Sequence, residues 1–173
     1  MSLFDEIMNE KISETQMHQQ RFMNAFFRVQ SPRILSYYWL TRDEEFEYQK
    51  AALRLYLENV NSYREYFDQM IPSLEEELSV LGEGSKLARG AIQGATASHL
   101  ELKPIMDPLL QAHIDYGNNL IQILDLLQNN KDNWEHRDGE VFFFSTEVNA
   151  KFEELIDSAV RYESLVNTLS EEL

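Results

Sequence analysis

Apolar residues recur every three to five positions along most of the chain, which is the spacing of one helix face rather than of a strand. The first such segment begins near Phe4 and should end near Arg28, because Pro32 disfavours helical backbone at Ser31. Its apolar positions are Phe4, Ile7, Met8, Ile12, Met17, Phe22, Phe26 and Phe27. This pattern predicts a long first helix.

An aromatic connector, residues 34–40, follows the first helix and contains Tyr37, Tyr38 and Trp39. Tyrosine and tryptophan have an apolar body and a polar tip, so they suit a core edge and a binding groove equally well. We expect these rings to be buried over the bundle. The alternative is an exposed aromatic patch.

A second helix is predicted to start near Arg42, because Thr41-Arg42-Asp43-Glu44 has the spacing of a capping box. In that motif the Thr41 hydroxyl accepts an amide hydrogen and Glu44 reaches back. Pro72 lacks a backbone donor, and Ser73-Leu74-Glu75-Glu76 could form a second box. A kink or break is therefore expected at Pro72.

Gly82-Glu83-Gly84 should close the second helix, with Ser85 as the N-cap of a third. The third helix is predicted to run through Leu100 and on toward Leu127, bent by its two prolines, Pro104 and Pro108. Small residues occupy one side of its early part, where another helix could approach closely; they are Gly90, Ala91, Gly94, Ala95 and Ala97. The dense apolar stripe over 109–127 predicts the centre of the core.

Asp138-Gly139 between residues 134–137 and 140–144 is a strong signal for a two-residue β-hairpin turn. An isolated hairpin is marginal in water, so Trp134 and the three phenylalanines at 142–144 should pin it to the helices. Ser145 or Thr146 then caps a final helix. The prediction is an all-α fold over one domain, residues 1–173. It is a helical bundle of four to six helices, with long kinked helices and one short β-hairpin-like insertion near 134–144.

Charge narrows the possible partners. Thirty acidic and fifteen basic side chains give a formal charge of −15, which repels phosphate backbones, so we expect no nucleic-acid partner. The chain has no cysteine, which excludes disulfides and thiolate chemistry. Apolar runs are too short to span a bilayer, so a soluble domain is predicted. Met1-Ser2-Leu3 fits a natural start, and fits equally a mature domain whose export signal has been removed.

No residue pattern points to a catalytic, cofactor or metal site, so we predict a protein that is not an enzyme and has no cofactor. Di-iron bundles use Glu-x-x-His motifs, and none occurs here. Glu14 and His18 lie four apart, and we interpret them as an ordinary helix pair. The alternative is a pocket between helices that uses His99 and His113 with nearby carboxylates.

Partner binding is the function that the aromatic residues leave open, because tyrosine and tryptophan can line a groove as easily as fill a core. We favour a core or core-edge role for them, with partner binding as the alternative. The possible partner surface consists of Tyr37, Tyr38, Trp39 and Trp134.

Five segments resemble a group of uncharacterised bacterial lipoproteins whose mature part is an all-helical periplasmic domain of unknown function. Residues 102–110, Leu-Lys-Pro-Ile-Met-Asp-Pro-Leu-Leu, are similar to the entry of that group's late helix, and residues 123–127 to its end. Residues 139–143 and 149–156 resemble its turn and closing helix. In the first half, residues 40–44 are similar to its helix start after a connector.

The resemblance implies a periplasmic domain tethered to a membrane through an N-terminal lipid, although this chain lacks the lipobox cysteine. It implies no activity, and the domain would act through protein contacts or envelope maintenance. The alternative is a cytoplasmic acidic interaction or immunity-type protein that binds a basic partner. The sequence leaves the oligomeric state open.

Overall fold

The computed structural model describes residues 2–173. Four α-helices and one two-stranded hairpin make up this part of the chain, with short 3-10 turns at Ser79–Leu81 and Lys131–Asn133. The helices are α1 Leu3–Val29, α2 Asp43–Leu78, α3 Lys86–Asn129 and α4 Thr146–Ser170, and the strands are β1 Trp134–Arg137 and β2 Glu140–Phe143. The predicted all-α fold with one small β insertion is confirmed.

Serine caps begin three of the four helices. The hydroxyl of Ser2 accepts the amide of Asp5 at 3.2 Å, and the Asp5 carboxylate accepts the Ser2 amide at 2.9 Å. Ser85 and Ser145 accept the amides three residues onward, at 3.2 and 3.3 Å. The predicted caps of α3 and α4 are therefore confirmed.

The predicted capping box at Thr41–Glu44 is wrong. The N-cap of α2 is Arg42, and no side chain caps this helix. The connector ends in a turn in which the Thr41 amide donates to the Trp39 carbonyl oxygen at 2.8 Å, so Thr41 lies outside the helix. Asp43 in the first turn accepts hydrogen bonds from Lys131 instead, at 2.8 Å.

Prolines do not interrupt the long helices. α2 continues through Pro72, and α3 continues through Pro104 and Pro108 to Asn129, so a break at Pro72 is wrong. All three prolines are exposed, which lets water hydrate the carbonyl groups that lose their amide donors. Ser73 does not cap a helix; its hydroxyl accepts a hydrogen bond from Lys11 of α1 at 2.9 Å.

Each helix packs mainly against its neighbours in sequence: α1 on α2, α2 on α3, and α3 on α4. The main core draws on all four helices, and residues 109–127 supply much of it, as predicted. Its fully buried members include Phe46, Leu53, Tyr56, Val60, Leu110, Ile123, Leu124 and Leu127. A smaller cluster, built on Ile7, Leu74, Leu78 and Ala88, joins α1, α2 and the start of α3.

The closest helix approach lies elsewhere than the small residues suggest. Gly90 and Gly94 face open space, so the predicted tight crossing over 90–97 is wrong for the two glycines, although Ala91 and Ala95 pack on the smaller cluster. The tight contact is at Gly117, where an added Cβ would lie 2.7 Å from a Leu57 methyl carbon. Over residues 2–173, none of the helices is both long and apolar enough to cross a membrane.

Candidate functional site

A groove between the connector and the hairpin brings together three of the four predicted surface residues, Tyr37, Tyr38 and Trp134. We call this cavity the hairpin groove; its volume is about 430 Å³. Its lining residues are Tyr37, Tyr38, Leu40, Thr41, Lys131, Trp134, Glu135 and His136. Two segments almost a hundred residues apart in sequence therefore build one aromatic concavity.

The hairpin has the predicted two-residue turn. Asp138 and Gly139 both have positive φ, 51° and 87°, as a turn that matches the strand twist requires. The indole Nε1 of Trp134 donates to the Leu127 carbonyl oxygen at 2.8 Å, and this bond fastens the hairpin to the end of α3. The predicted anchoring by Trp134 is confirmed.

Only one of the three phenylalanines shares in that anchoring. The ring of Phe143 lies 4.9 Å from the ring of Phe152 on α4. Phe142 and Phe144 are 42% and 67% exposed, so the prediction is wrong for them. Successive strand residues point to opposite faces, and these two lie on the face away from the helices.

The connector takes an uncommon backbone conformation that buried Gln49 supports. Leu35 has a φ of 56°, a left-handed value that is rare for a residue with a Cβ. Gln49, which is fully buried on α2, accepts the Leu35 amide at 2.9 Å and donates to the Arg33 carbonyl oxygen at 2.8 Å. No local sequence pattern marks Gln49, because its partners are apparent only in the folded chain.

Arg33 holds the side of the connector that faces away from the hairpin groove. Its guanidinium donates to both carboxylate oxygens of Glu45, at 2.7 and 2.6 Å, and these bonds hold the pKa of Glu45 below its usual value. The same guanidinium lies 5.0 Å from the ring centre of Trp39 and 4.3 Å from that of Tyr48. Trp39 is therefore held by a cation–π contact outside the hairpin groove.

Tyr38 and Trp39 project into solvent, so the prediction that the connector rings are buried is wrong for both. They are 74% and 47% exposed, and their rings meet edge to face at 5.6 Å. The connector instead sends Leu40 into the core and half-buries Tyr37 against Phe152. We call the exposed pair, Tyr38 and Trp39, the aromatic ridge.

The hairpin beside the groove carries a net negative charge once its ion pairs are counted. Lys131 binds Asp43, and Arg137 binds Glu135, so both cations are neutralised. The remaining acidic side chains of the hairpin segment are exposed and form no ion pair within residues 2–173; they are Asp132, Asp138 and Glu140. The hairpin therefore places net negative charge on one side of the aromatic groove, and the exposed Arg42 lies next to Thr41 on the other side.

The alternative pocket built on His99 and His113 is not assembled. His113 is 2% exposed, hydrogen-bonds the Tyr56 hydroxyl through Nδ1, and lies against the edges of two phenylalanine rings. His99 stacks on Phe67 with the ring centres 4.3 Å apart. These two histidines lie about 20 Å apart along α3, so they share no site.

The two residues of the remaining candidate pair, Glu14 and His18, each contact other side chains. Glu14 binds Lys11 at 2.8 Å, and His18 stacks on Tyr66 with the ring centres 4.3 Å apart. Over residues 2–173, no three His, Asp or Glu side chains lie where they could hold a metal ion together.

No protein-family model, curated protein or solved structure matches this chain.

Proposed function

We propose that this chain is a non-enzymatic protein-binding domain, and that the hairpin groove with the aromatic ridge binds a basic segment of a partner protein. The observation that carries the proposal is the exposure of Tyr38 and Trp39, 74% and 47%, beside a groove of about 430 Å³. Large aromatic rings are the residues that most often dominate binding energy at interfaces.

The contacts that hold these rings in place favour binding. Gln49 holds the connector backbone, Arg33 holds Trp39, and the Trp134 indole fastens the hairpin to α3. A surface that is ordered before binding loses less conformational entropy when a partner arrives. The ridge therefore has the organisation of a preformed anchor site.

The charge of the surface favours a basic partner. The whole chain carries −15, and the hairpin keeps three carboxylates that form no ion pair within residues 2–173, after Lys131 and Arg137 are neutralised. A Lys or Arg side chain of the partner could stack on Tyr38 or Trp39 while the hairpin carboxylates attract it. An acidic partner would be repelled by the same carboxylates and by the net charge of the chain.

We also propose a cellular location for the protein. The resemblance to envelope lipoproteins supports a periplasmic location with an N-terminal lipid as the tether. A cytoplasmic immunity-type protein is the alternative, and it would use the same acidic aromatic surface. Palmitate labelling and cell fractionation of the natural gene product distinguish the periplasmic from the cytoplasmic location. Labelled protein in the membrane fraction supports the first, and unlabelled cytoplasmic protein supports the second.

Affinity capture from a lysate of the natural host tests the binding proposal. The immobilised domain should retain a basic protein in stoichiometric amount at low salt and release it at high salt, because exposed charges are screened. The double variant Tyr38→Ala/Trp39→Ala should raise the dissociation constant measured with the purified partner by roughly thirtyfold. The loss of one hot spot of about 2 kcal/mol has this effect.

Leu87→Ala provides the matched control. Leu87 is 63% exposed in the first turn of α3, about 60 Å along that helix from the hairpin end. The control should bind the partner as the wild type does. The proposal is wrong if the wild-type domain retains no basic partner at low salt, or if the double variant binds it with unchanged affinity.

A further inference from the structure

The outer side of α1 is left uncovered by the rest of the bundle. This helix packs mainly against α2, and its buried residues join the two core clusters. On its outer side, exposed residues recur at intervals of three or four, so they share one side of the helix. We call this set the α1 face; its members are Ile12, Gln16, Gln20, Met23 and Phe27. Ile12 and Phe27 are 53% and 62% exposed.

The α1 face carries no charged side chain, although the whole chain carries −15. Ser13 and Asn24, which widen the face, are also exposed and uncharged. The only Asp, Glu, Lys or Arg side chains in residues 12–27 are Glu14 and Arg21, and these have opposite signs. Two copies of a strongly anionic chain repel each other through most of their surface. A contact between copies is therefore least opposed at the α1 face.

Glu10 and Arg28 make this surface self-complementary. They lie 18 residues apart, which is five helical turns, so both project from the same flank of α1. Both are exposed, and neither forms an ion pair in the described part of the chain. An antiparallel pair of α1 helices, centred on the middle of the α1 face, would place Glu10 of each copy beside Arg28 of the other. The same register sets Ile12 of each copy opposite Phe27.

We propose that a second copy of this chain covers the α1 face in an antiparallel, two-fold symmetric helix pair. A two-fold contact uses the same surface on both copies, so each apolar contact and each ion pair is made twice. Residues 12–27 span about 22 Å, and one side of a helix of this length buries less area than a standard interface. The dimer is therefore reversible, with a dissociation constant in the micromolar range.

Sedimentation equilibrium of the purified chain at physiological salt tests the proposal. The average mass should rise from that of the monomer toward that of the dimer as the concentration increases. Phe27→Asp should raise the dimer dissociation constant at least about thirtyfold, because it places a carboxylate from each copy inside the contact. Phe144→Asp is the matched control. It adds the same charge at a similarly exposed phenylalanine of the hairpin, and it should leave the constant within about twofold of the wild type.

A charge swap tests the register of the two helices. Glu10→Arg and Arg28→Glu each set like charges against one another at both ends of the pair, so each should raise the dissociation constant about tenfold. The double variant Glu10→Arg/Arg28→Glu restores opposite charges and has the net charge of the wild type. Its dissociation constant should return to within about threefold of the wild-type value. A purely structural role of either residue within one chain would give no such rescue.

Cysteine crosslinking tests the antiparallel orientation, and the chain contains no cysteine of its own. Gln20→Cys should form a disulfide-linked dimer on mild oxidation, because the two copies of this position meet near the two-fold axis. Ile12→Cys should not, because its two copies lie about 22 Å apart in the antiparallel pair.

Four results would each overturn the proposal. They are a chain that stays monomeric up to about 1 mM, a Phe27→Asp variant that dimerises as well as Phe144→Asp, a charge-swapped double variant that is not rescued, and an Ile12→Cys variant that crosslinks as readily as Gln20→Cys. In the first case the α1 face is bare in solution or serves a different protein.

Discussion

The side-chain oxygen of Gln49 accepts the backbone amide of Leu35 at 2.9 Å. The same carboxamide donates to the Arg33 carbonyl oxygen at 2.8 Å and to Glu45 at 3.1 Å. Leu35 has a φ of 56°, a conformation that costs roughly 1–2 kcal/mol for a residue with a Cβ. Buried Gln49 thus compensates a strained connector, and the direction in which Tyr38 and Trp39 leave the core depends on it.

Replacing Gln49 should loosen the connector. Gln49→Leu leaves the Leu35 amide and the Arg33 carbonyl without their partner, so the free energy of unfolding should fall by roughly 2–4 kcal/mol. Urea denaturation measures this change. The tryptophan fluorescence anisotropy, to which Trp39 and Trp134 both contribute, should fall at the same time because the Trp39 ring gains freedom.

Gln69→Leu is the control for this substitution. Gln69 is exposed on the same helix, so its replacement should change the free energy of unfolding by no more than about 0.5 kcal/mol. If Gln49→Leu is as stable as this control, Gln49 does not hold the connector.

Local patterns predicted most of the helical architecture. Helical periodicity marks α1, α3 and α4, and the hydroxyls of Ser85 and Ser145 act on amides three residues away, so both signals are readable from a short stretch. The uninterrupted path of α2 through Pro72 was not readable. A helix tolerates an exposed proline where water reaches the freed carbonyl, and which side faces water is decided by tertiary packing.

The candidate site was predicted in part. Aromatic character singled out Tyr37, Tyr38 and Trp134, and the structure places them in one groove. The exposure of Tyr38 was not predicted, because it depends on a left-handed residue held from another helix. Gln49 bonds to residues 14 and 16 positions away, and no local pattern marks such a partnership.

Two glycines of α3 should respond to alanine in opposite directions. At Gly117 the new Cβ would lie 2.7 Å from Leu57 Cδ2 and 3.2 Å from Tyr56 Cδ1, so overpacking should lower the free energy of unfolding by about 1–3 kcal/mol. At Gly90 the new Cβ would meet nothing within 4 Å. The higher helix propensity of alanine should therefore raise the free energy of unfolding by about 0.5–1 kcal/mol.

Thermal and urea denaturation of the two variants check this contrast. Each variant serves as the control of the other, because the substitution and the helix are the same. Equal effects would mean that the α2–α3 crossing at Gly117 is not tight.

Lys50 should contribute little net stability even though it is buried. It is 7% exposed and binds Asp125 at 3.0 Å, Glu47 at 2.9 Å and Gln128 at 2.7 Å. Lys50→Met removes a costly buried charge, and both carboxylate partners are about half exposed and can return to water. The free energy of unfolding should therefore change by no more than about 1 kcal/mol.

The complementary variant should be less stable than Lys50→Met. Glu47→Gln/Asp125→Asn leaves the ammonium group of Lys50 buried without an anion, so it should lower the free energy of unfolding by roughly 2 kcal/mol or more. Urea denaturation of both variants at neutral pH measures the difference. A Lys50→Met variant that is less stable than the double variant would show that the ion pairs do stabilise the fold.

His113 should make the fold sensitive to mild acid. Burial lowers the pKa of His113 from 6.5 to about 4, because the charged imidazolium would be enclosed by Phe22, Phe26 and Tyr56. Above pH 6.5 the imidazole is neutral in both states, and its full contribution to stability is present. As the pH falls below that value, the unfolded chain binds a proton that the folded chain does not bind until about pH 4, so stability is lost across this window.

The loss should reach about 2 kcal/mol at about pH 5 and about 3 kcal/mol near pH 4, since one pKa unit corresponds to about 1.4 kcal/mol. His113→Asn keeps hydrogen-bonding atoms near the Tyr56 hydroxyl without titrating, so urea midpoints of the two proteins from about pH 7.5 to about pH 5 isolate the effect. The other histidines and all carboxylates are common to both proteins and cancel in the difference. We expect the wild type to lose stability faster than His113→Asn as the pH falls, and parallel curves would mean that the folded protein accepts the His113 proton as readily as the unfolded chain.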